Sequence, residues 1–181
     1  NEADGYDGET KRVLHAPWRI QYMRRLGQDD GGCFLCRARD AGPAADKEHL
    51  LLWRSPRCVV MMNRFPYTGG HLLVAPREHV AGLGDLDEAT MAEMMGLIRD
   101  ANAVLSRVLR CDGFNVGLNL GRAAGAGLPG HLHAHTVPRW GGDTNFVTVL
   151  GDVRVIPQAL EELWDELRAA AEDMNLPAAA T

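Results

Sequence analysis

The chain has 181 residues, 46% of them hydrophobic and 24% charged, with a formal net charge of −5 at pH 7. That length suits one domain with a sizeable core, and the composition is that of a globular chain rather than a disordered or fibrous one. The acidic balance argues against duplex nucleic acid as a partner, and no apolar run approaches the roughly 20 residues of a membrane span.

Residues 1–32 are polar and charged and close on the turn signal Asp29-Asp30-Gly31-Gly32. A frayed end over 1–14 is expected, then a packed segment around Pro17–Met23. Next comes Cys33-Phe34-Leu35-Cys36. His49–Arg54 reads as a short strand that Ser55-Pro56 breaks. Cys58–Asn63 is a second strand, ended by Phe65-Pro66-Tyr67-Thr68-Gly69-Gly70, and His71–Ala75 a third, stopped by Pro76. These three make an antiparallel meander. Over 86–110 the period changes: Leu86, Ala89, Met91, Met94, Met95, Ile98, Ala101, Leu105, Val108 and Leu109 recur at helical spacing, behind a capping box at Asp85–Glu88. The methionines read as core filler. Strands resume at Phe114–Leu120; a glycine-rich loop (121–130), a histidine-bearing strand and a strand at Asn145–Leu150 follow. A last helix starts at Pro157 and aligns Leu160, Leu163, Trp164, Leu167 and Ala171 on one face, with Glu161, Glu162, Asp165 and Glu166 as a solvated face. The expectation is a single α+β domain over 1–181, core about 15–170, with an antiparallel sheet, one long central helix and a C-terminal helix.

The chemistry concentrates in His131-Leu132-His133-Ala134-His135. On an extended strand the three imidazoles project from one face, about 6.6 Å apart. Each can bind a metal, attack an electrophile or donate a proton near neutral pH. Of four cysteines, Cys33 and Cys36 have the spacing of a thioredoxin-like redox pair or of half a zinc site, and the distant histidines available to complete it favour the latter. Cys58 and Cys111 lie in apolar stretches and read as small buried hydrophobes. The loop Gly121–Gly130 can bring backbone N–H groups close to phosphate oxygens, and Arg122 is a candidate contact to a distal phosphate. Arg139 and Asp143 are spaced to pair, Trp140 and Phe146 to line a pocket or pack. No secretory leader pattern is seen near the start, so the expected location is the cytoplasm.

The ordered set His131–Val137, Gly70-His71-Leu72-Leu73-Val74-Ala75-Pro76 with His79, Asn119 before a glycine-rich loop, the Cys-x-x-Cys pair and Pro138–Phe146 resembles the histidine triad family. With Ala16-Pro17-Trp18-Arg19, it looks like the bacterial branch related to diadenosine tetraphosphate phosphorylases and hydrolases. The resemblance implies a histidine-triad-like fold and cleavage at the α-phosphate of dinucleoside polyphosphates or related nucleotides. It makes His133 the nucleophile of a nucleotidyl-histidine intermediate, and His135 a phosphate contact in the catalytic pair. It places Asn63, His71, Asn119 and the loop glycine Gly127 against the substrate. It makes Cys33, Cys36, His79 and His131 the ligands of a structural zinc, with no organic cofactor, and implies a homodimer through the long helix and an adjoining strand. Ala126, Gly127 and Gly130 stand where relatives often carry polar loop residues, leaving fewer side-chain donors for phosphate. Two other readings stand beside this one: a metalloenzyme whose metal is shared by His131, His133 and His135, and a nucleotide-binding regulatory protein with little turnover.

Overall fold

The apolar runs of the second and third strands have no polar alternation, which is the pattern of strands covered on both faces. The structure, a computed structural model, describes residues 32–143 and 158–176. Five antiparallel strands form one sheet: β1 (Leu51–Arg54), β2 (Cys58–Met62), β3 (Leu72–Pro76), β4 (Gly113–Leu118) and β5 (Ala134–Arg139), in the order β1-β2-β3-β5-β4. Every residue of β2 and β3 is buried. The expected meander covers the first three strands; β5 then inserts between β3 and β4. The segments around Pro17 and Asn145–Leu150, and Pro157 itself, lie outside the described residues.

Among the described residues, three α-helices serve the two faces of the sheet. On one, α2 (Glu88–Leu109) and α3 (Leu160–Asp173) pack over Leu52, Trp53, Val60, Met62, Leu72, Val74 and Ala134. On the other, α1 (Phe34–Asp40) packs Leu35 and Ala38 against Leu51, Val59, Met61, Leu73 and Ala75. A register shift between Leu51 and Trp53 lets both Leu52 and Trp53 join the α2-side core. Thr136 sits at an apolar position with no exposure, its hydroxyl unpartnered among the described residues.

The long helix begins at Glu88. Asp87 is its N-cap and accepts from the Thr90 N–H at 2.7 Å, so the cap lies two residues later than the expected box starts. Its buried stripe is Met94, Leu97, Ile98, Ala101, Val104 and Leu105. The expectation that all its methionines fill the core fails. Met91 and Met95 are 36% and 63% exposed, and at 100° per residue Met95 stands roughly a third of a turn from the centre of the stripe. The last helix starts at Leu160, not Pro157, with Ala159 as a cap that makes no side-chain bond. Its expected apolar face holds: Leu163, Leu167 and Ala171 are buried and Leu160 and Trp164 pack on them. The helix also covers the β1 edge, where the Trp164 Nε1–H donates to the Leu51 carbonyl at 2.9 Å and Arg168 to that of Leu52 at 2.5 Å.

Two details position the site. Arg54 bonds Asp46 in a nearly buried pair and donates to the carbonyls of Ala38 and Arg39, pinning the C-terminal end of α1 to β1. Gly70, with φ of +81°, turns the chain into β3 just before His71. A Cβ there would run into the Leu109 side chain and come within 3.1 Å of Leu105 and 3.2 Å of Pro138, so this turn requires glycine on both counts.

Candidate active site

Cross-strand partners share a face, so His135, opposite Leu73, stands on the α1 side of the sheet. Its other neighbour, on β4, is Gly117, which has no side chain to cover the ring. Because α1 packs over β1–β3, the β5–β4 end of this face is left for the histidines.

A proton chain can be read through the cluster. The Tyr67 backbone N–H donates to Nδ1 of His71 at 3.1 Å, and the Asn63 amide stands 3.3 Å from the same atom. The His71 proton is therefore on Nε2, which donates to Nδ1 of His135 at 2.9 Å. That leaves the His135 proton on Nε2, which stands 3.2 Å from the Asn119 amide nitrogen. Tyr67 also lays its ring over His135, centroids 5.9 Å apart. Asn63, His71, Asn119 and His135 are thus brought together. Gly127 stays in the loop, and among the described residues no hydrogen bond joins it to the cluster. The sequence marks Tyr67 only as part of a turn; its contribution is a backbone N–H, which no residue pattern advertises.

His133 is held differently. Its Nδ1 lies 2.8 Å from the His131 carbonyl, so Nδ1 carries the proton and Nε2 keeps a bare lone pair. No hydrogen-bond partner meets Nε2 among the described residues. Burial pushes the ring below the usual histidine range, outweighing the carbonyl bond, which favours the charged form. The group is a neutral imidazole with one free nitrogen, its ring centroid 5.0 Å from that of His135.

β5 begins at Ala134, so His131 and His133 stand on the approach to the paired strand rather than within it. His131 turns to a second cluster. Its Nδ1 stands 3.1 Å from the Cys33 sulfur and 3.5 Å from that of Cys36, and the His79 Nδ1 is 3.3 Å from Cys36. All four ligand atoms lie within 4.8 Å of one another. A tetrahedral zinc, with Zn–S of about 2.3 Å and Zn–N of about 2.0–2.1 Å, sets sulfur and nitrogen roughly 3.5 Å apart, so this donor set fits that ion. The His131 Nε2–H donates to the Pro76 carbonyl at 2.9 Å, leaving Nδ1 free to ligate. Among the described residues this is the one group of three or more metal-capable side chains. A metal shared by His131, His133 and His135 is accordingly not what the structure assembles.

A family model for the HIT domain matches residues 45–142. The chain belongs to the HIT domain family. It is 47% identical over 118 residues to an AP-4-A phosphorylase of Mycobacterium tuberculosis, covering 65% of this chain and 60% of that protein. To a bis(5'-nucleosyl)-tetraphosphatase (asymmetrical) of Schizosaccharomyces pombe it is 29% identical, over 49% of this chain and 48% of the relative. The chain spans about half to three fifths of those two relatives. A Zn-bound histidine triad family protein from Mycobacterium smegmatis has the same fold, with TM-score 0.63 and 28% identity over 80% of this chain and 96% of that one.

Other expectations resolve as follows. Arg139 and Asp143 pair at 2.5 Å. Trp140 packs with its Nε1–H on the Leu109 carbonyl at 3.3 Å. Cys58 is buried, its thiol pushed up to about 12 by burial and by Glu93. Cys111 is only half-buried rather than a core residue. Arg122 is exposed in a short 3-10 turn over 122–124. His15 and Phe146 lie outside the described residues. No helix among the described residues is long and apolar enough to cross a membrane.

The HIT cluster carries a pH signature. Burial, with His133 alongside, pushes His135 down from 6.5 to about 4. The unfolded chain takes up a proton there as pH falls through the ordinary histidine range, whereas the fold does so only near pH 4. The stability from keeping His135 neutral is complete above about pH 6.5 and drains away between there and pH 4. Urea midpoints from pH 7 to 4 should fall more steeply for the wild type than for His135→Gln. The excess slope stays below the one-group limit of about 1.4 kcal/mol per pH unit. Parallel curves would refute this.

Proposed function

We propose that the protein is a nucleotidyl hydrolase or phosphorylase acting at the α-phosphate of dinucleoside polyphosphates, with His133 as nucleophile. One observation carries the reading: the His133 Nδ1–H is tied to the His131 carbonyl, leaving a neutral ring with Nε2 free. The Nε2 lone pair forms a bond to the α-phosphorus as the P–O bond to the leaving nucleotide breaks. Water or inorganic phosphate then attacks the same phosphorus and breaks the N–P bond, dividing one displacement into two. His135, with His71 behind it, offers its Nε2–H to a phosphate oxygen. In this reading Asn119 would meet the phosphates and Asn63 the ribose, while Gly127 and its loop would offer backbone N–H groups to the phosphate chain. The relatives named above, a phosphorylase and a tetraphosphatase, support this substrate class.

Cys33, Cys36, His79 and His131 would hold a zinc ion that supplies cohesion rather than chemistry, binding α1 to the segment ahead of β5. The thiol–imidazole donor set supports this, as does the Zn-bound relative.

Diadenosine tetraphosphate incubated with and without inorganic phosphate separates the two acceptors. ADP plus ATP, appearing only with phosphate, is the expected result for a phosphorylase, and AMP plus ATP in either case for a hydrolase. No cleavage of any dinucleoside polyphosphate, with tight mononucleotide binding retained, would leave the regulatory reading in its place.

We also propose a homodimer through α2 and β4. Val116 and Leu118 on β4 are 45% and 36% exposed, on the α2 side of the sheet. Glu93, Gly96, Leu97 and Asp100 line a hollow with Trp53, so the opposite flank of α2, with Met91 and Met95, faces β4. Together they form an apolar surface beside an edge strand, which a second copy would cover. Val116→Asp should shift sedimentation from dimer to monomer; an unchanged profile would count against this surface.

A further inference from the structure

The nucleophile lies outside the strand ladder. β5 pairs with its neighbours from Ala134 onward, so sheet hydrogen bonding does not place His131, Leu132 and His133. What places them is a small set of bonds, most of which lead to the Cys/His cluster. His131 uses three atoms at once. Its Nδ1 faces the two cysteine sulfurs, its Nε2–H donates to the Pro76 carbonyl at the end of β3, and its own carbonyl accepts from Nδ1 of His133. The next residue, Leu132, donates its N–H to the Val80 carbonyl at 2.6 Å, directly after His79. The two histidines of the cluster therefore bracket the main chain that fixes His133.

We propose that His131 is a positioning residue that couples the Cys/His cluster to the nucleophile, so that filling the cluster selects the His133 tautomer whose Nε2 is bare. Free neutral histidine prefers its proton on Nε2, which is the wrong nitrogen for attack. The His131 carbonyl reverses that preference only while it stays 2.8 Å from Nδ1. With His131 held at both ring nitrogens its carbonyl has little freedom. With Nδ1 released, the remaining bonds on this segment are Nε2–H to Pro76, the 3.3 Å bond from the His131 N–H to the Leu128 carbonyl, and Leu132 N–H to Val80. Residues 131–133 can then rotate, and His133 samples the unreactive tautomer. Outer-shell groups of this kind are worth about 10–100-fold in activity elsewhere.

The inference rests on the proposed role of His133 for its kinetic consequence but not for its structural one, so the test has two arms. In the first, the full chain with 15N-labelled histidine is studied by long-range 15N–1H correlation, once loaded with zinc alone and once stripped by chelator. The loaded protein should show His133 as a single Nδ1–H tautomer, and the stripped protein a mixture. His79→Gln removes one ligand together with the ring packed edge-on against His131, centroids 4.9 Å apart; it should shift His133 towards the mixture at limiting zinc, and excess zinc should reverse the shift. An identical His133 pattern in both states, with the amide spectrum still dispersed, would overturn the coupling. Should the stripped chain lose its dispersed spectrum, zinc-loaded His131→Cys is compared with zinc-loaded wild type. That variant keeps a metal ligand and the carbonyl but loses the Pro76 bond. Tautomer mixing is expected there, and its absence overturns the proposal.

In the second arm, His79→Gln at limiting zinc should lower kcat about tenfold with KM within about threefold, excess zinc restoring it. A loss confined to KM would place the cluster's influence on substrate binding instead. If His133→Asn keeps its activity while the tautomer response is present, the nucleophile assignment falls and the coupling stands.

Discussion

His133→Asn should lower turnover by about 10⁴-fold or more, the scale on which loss of a covalent nucleophile acts. The choice of asparagine matters. Its amide N–H can occupy much the same place as Nδ1–H and keep a donor on the His131 carbonyl, while the free nitrogen at Nε2 disappears. Because Nε2 has no hydrogen-bond partner among the described residues, its removal breaks no bond seen in the fold, and the thermal midpoint should move little. The wild type, quenched during single turnover, should gain the mass of one nucleotidyl group; His133→Asn should gain none. By comparison His135→Ala removes a phosphate donor and should cost about 10²–10³-fold, the range for one preorganised donor to a developing charge. A His133→Asn protein with more than about a hundredth of wild-type activity would end the covalent mechanism.

The layered sheet was readable because β2 and β3 are apolar at every position, and the turn residues between them are unambiguous. The place of β5 was not. Its insertion between β3 and β4 pairs residues more than sixty positions apart, such as Leu73 and His135, and nothing local encodes that. Alternation across His131–His135 suggested one strand, yet the strand starts at Ala134. The main chain before it bonds to Val80 and Leu128 rather than to a ladder, and a period of two cannot distinguish an extended arm from a paired strand. Met91 and Met95 show the same limit for helices. A spacing of three or four marks a wide arc, and burial depends on which part of the arc the sheet covers. Cys33 and Cys36 declared half of a metal site by spacing alone; the other half, His79 and His131, came only with the family resemblance. Main-chain contributors such as the Tyr67 N–H and the Pro76 carbonyl are invisible to any residue pattern, since every position offers the same groups.

Zinc should raise the thermal midpoint, and the size of the rise follows from mass action. An ion that binds only the folded chain stabilises it by about 2.7 kcal/mol at one hundred times its dissociation constant. For a chain of this length about 1 kcal/mol moves the midpoint by 2–4 °C, so a shift of roughly 5–10 °C is expected between chelator and saturating zinc. The effect is large because the cluster joins parts of the chain that are far apart in sequence: α1 by Cys33 and Cys36, the segment after β3 by His79, and the approach to β5 by His131. Binding also displaces thiol protons. Burial and the neighbouring Cys33 push the Cys36 thiol up, so at neutral pH the ion competes with protons for that sulfur. The zinc-induced shift should therefore shrink as pH falls from 8 to 6. Cys36→Ser supplies the control, because a hydroxyl is a poor zinc ligand. Its absolute midpoint is uninformative, but its response to zinc should be largely gone. Equal midpoints for the wild type with chelator and with zinc would mean that the four side chains converge without holding an ion, and the cohesion between α1 and the nucleophile's segment would then rest on the Arg54 bonds to α1 and the two carbonyl bonds at Pro76 and Val80.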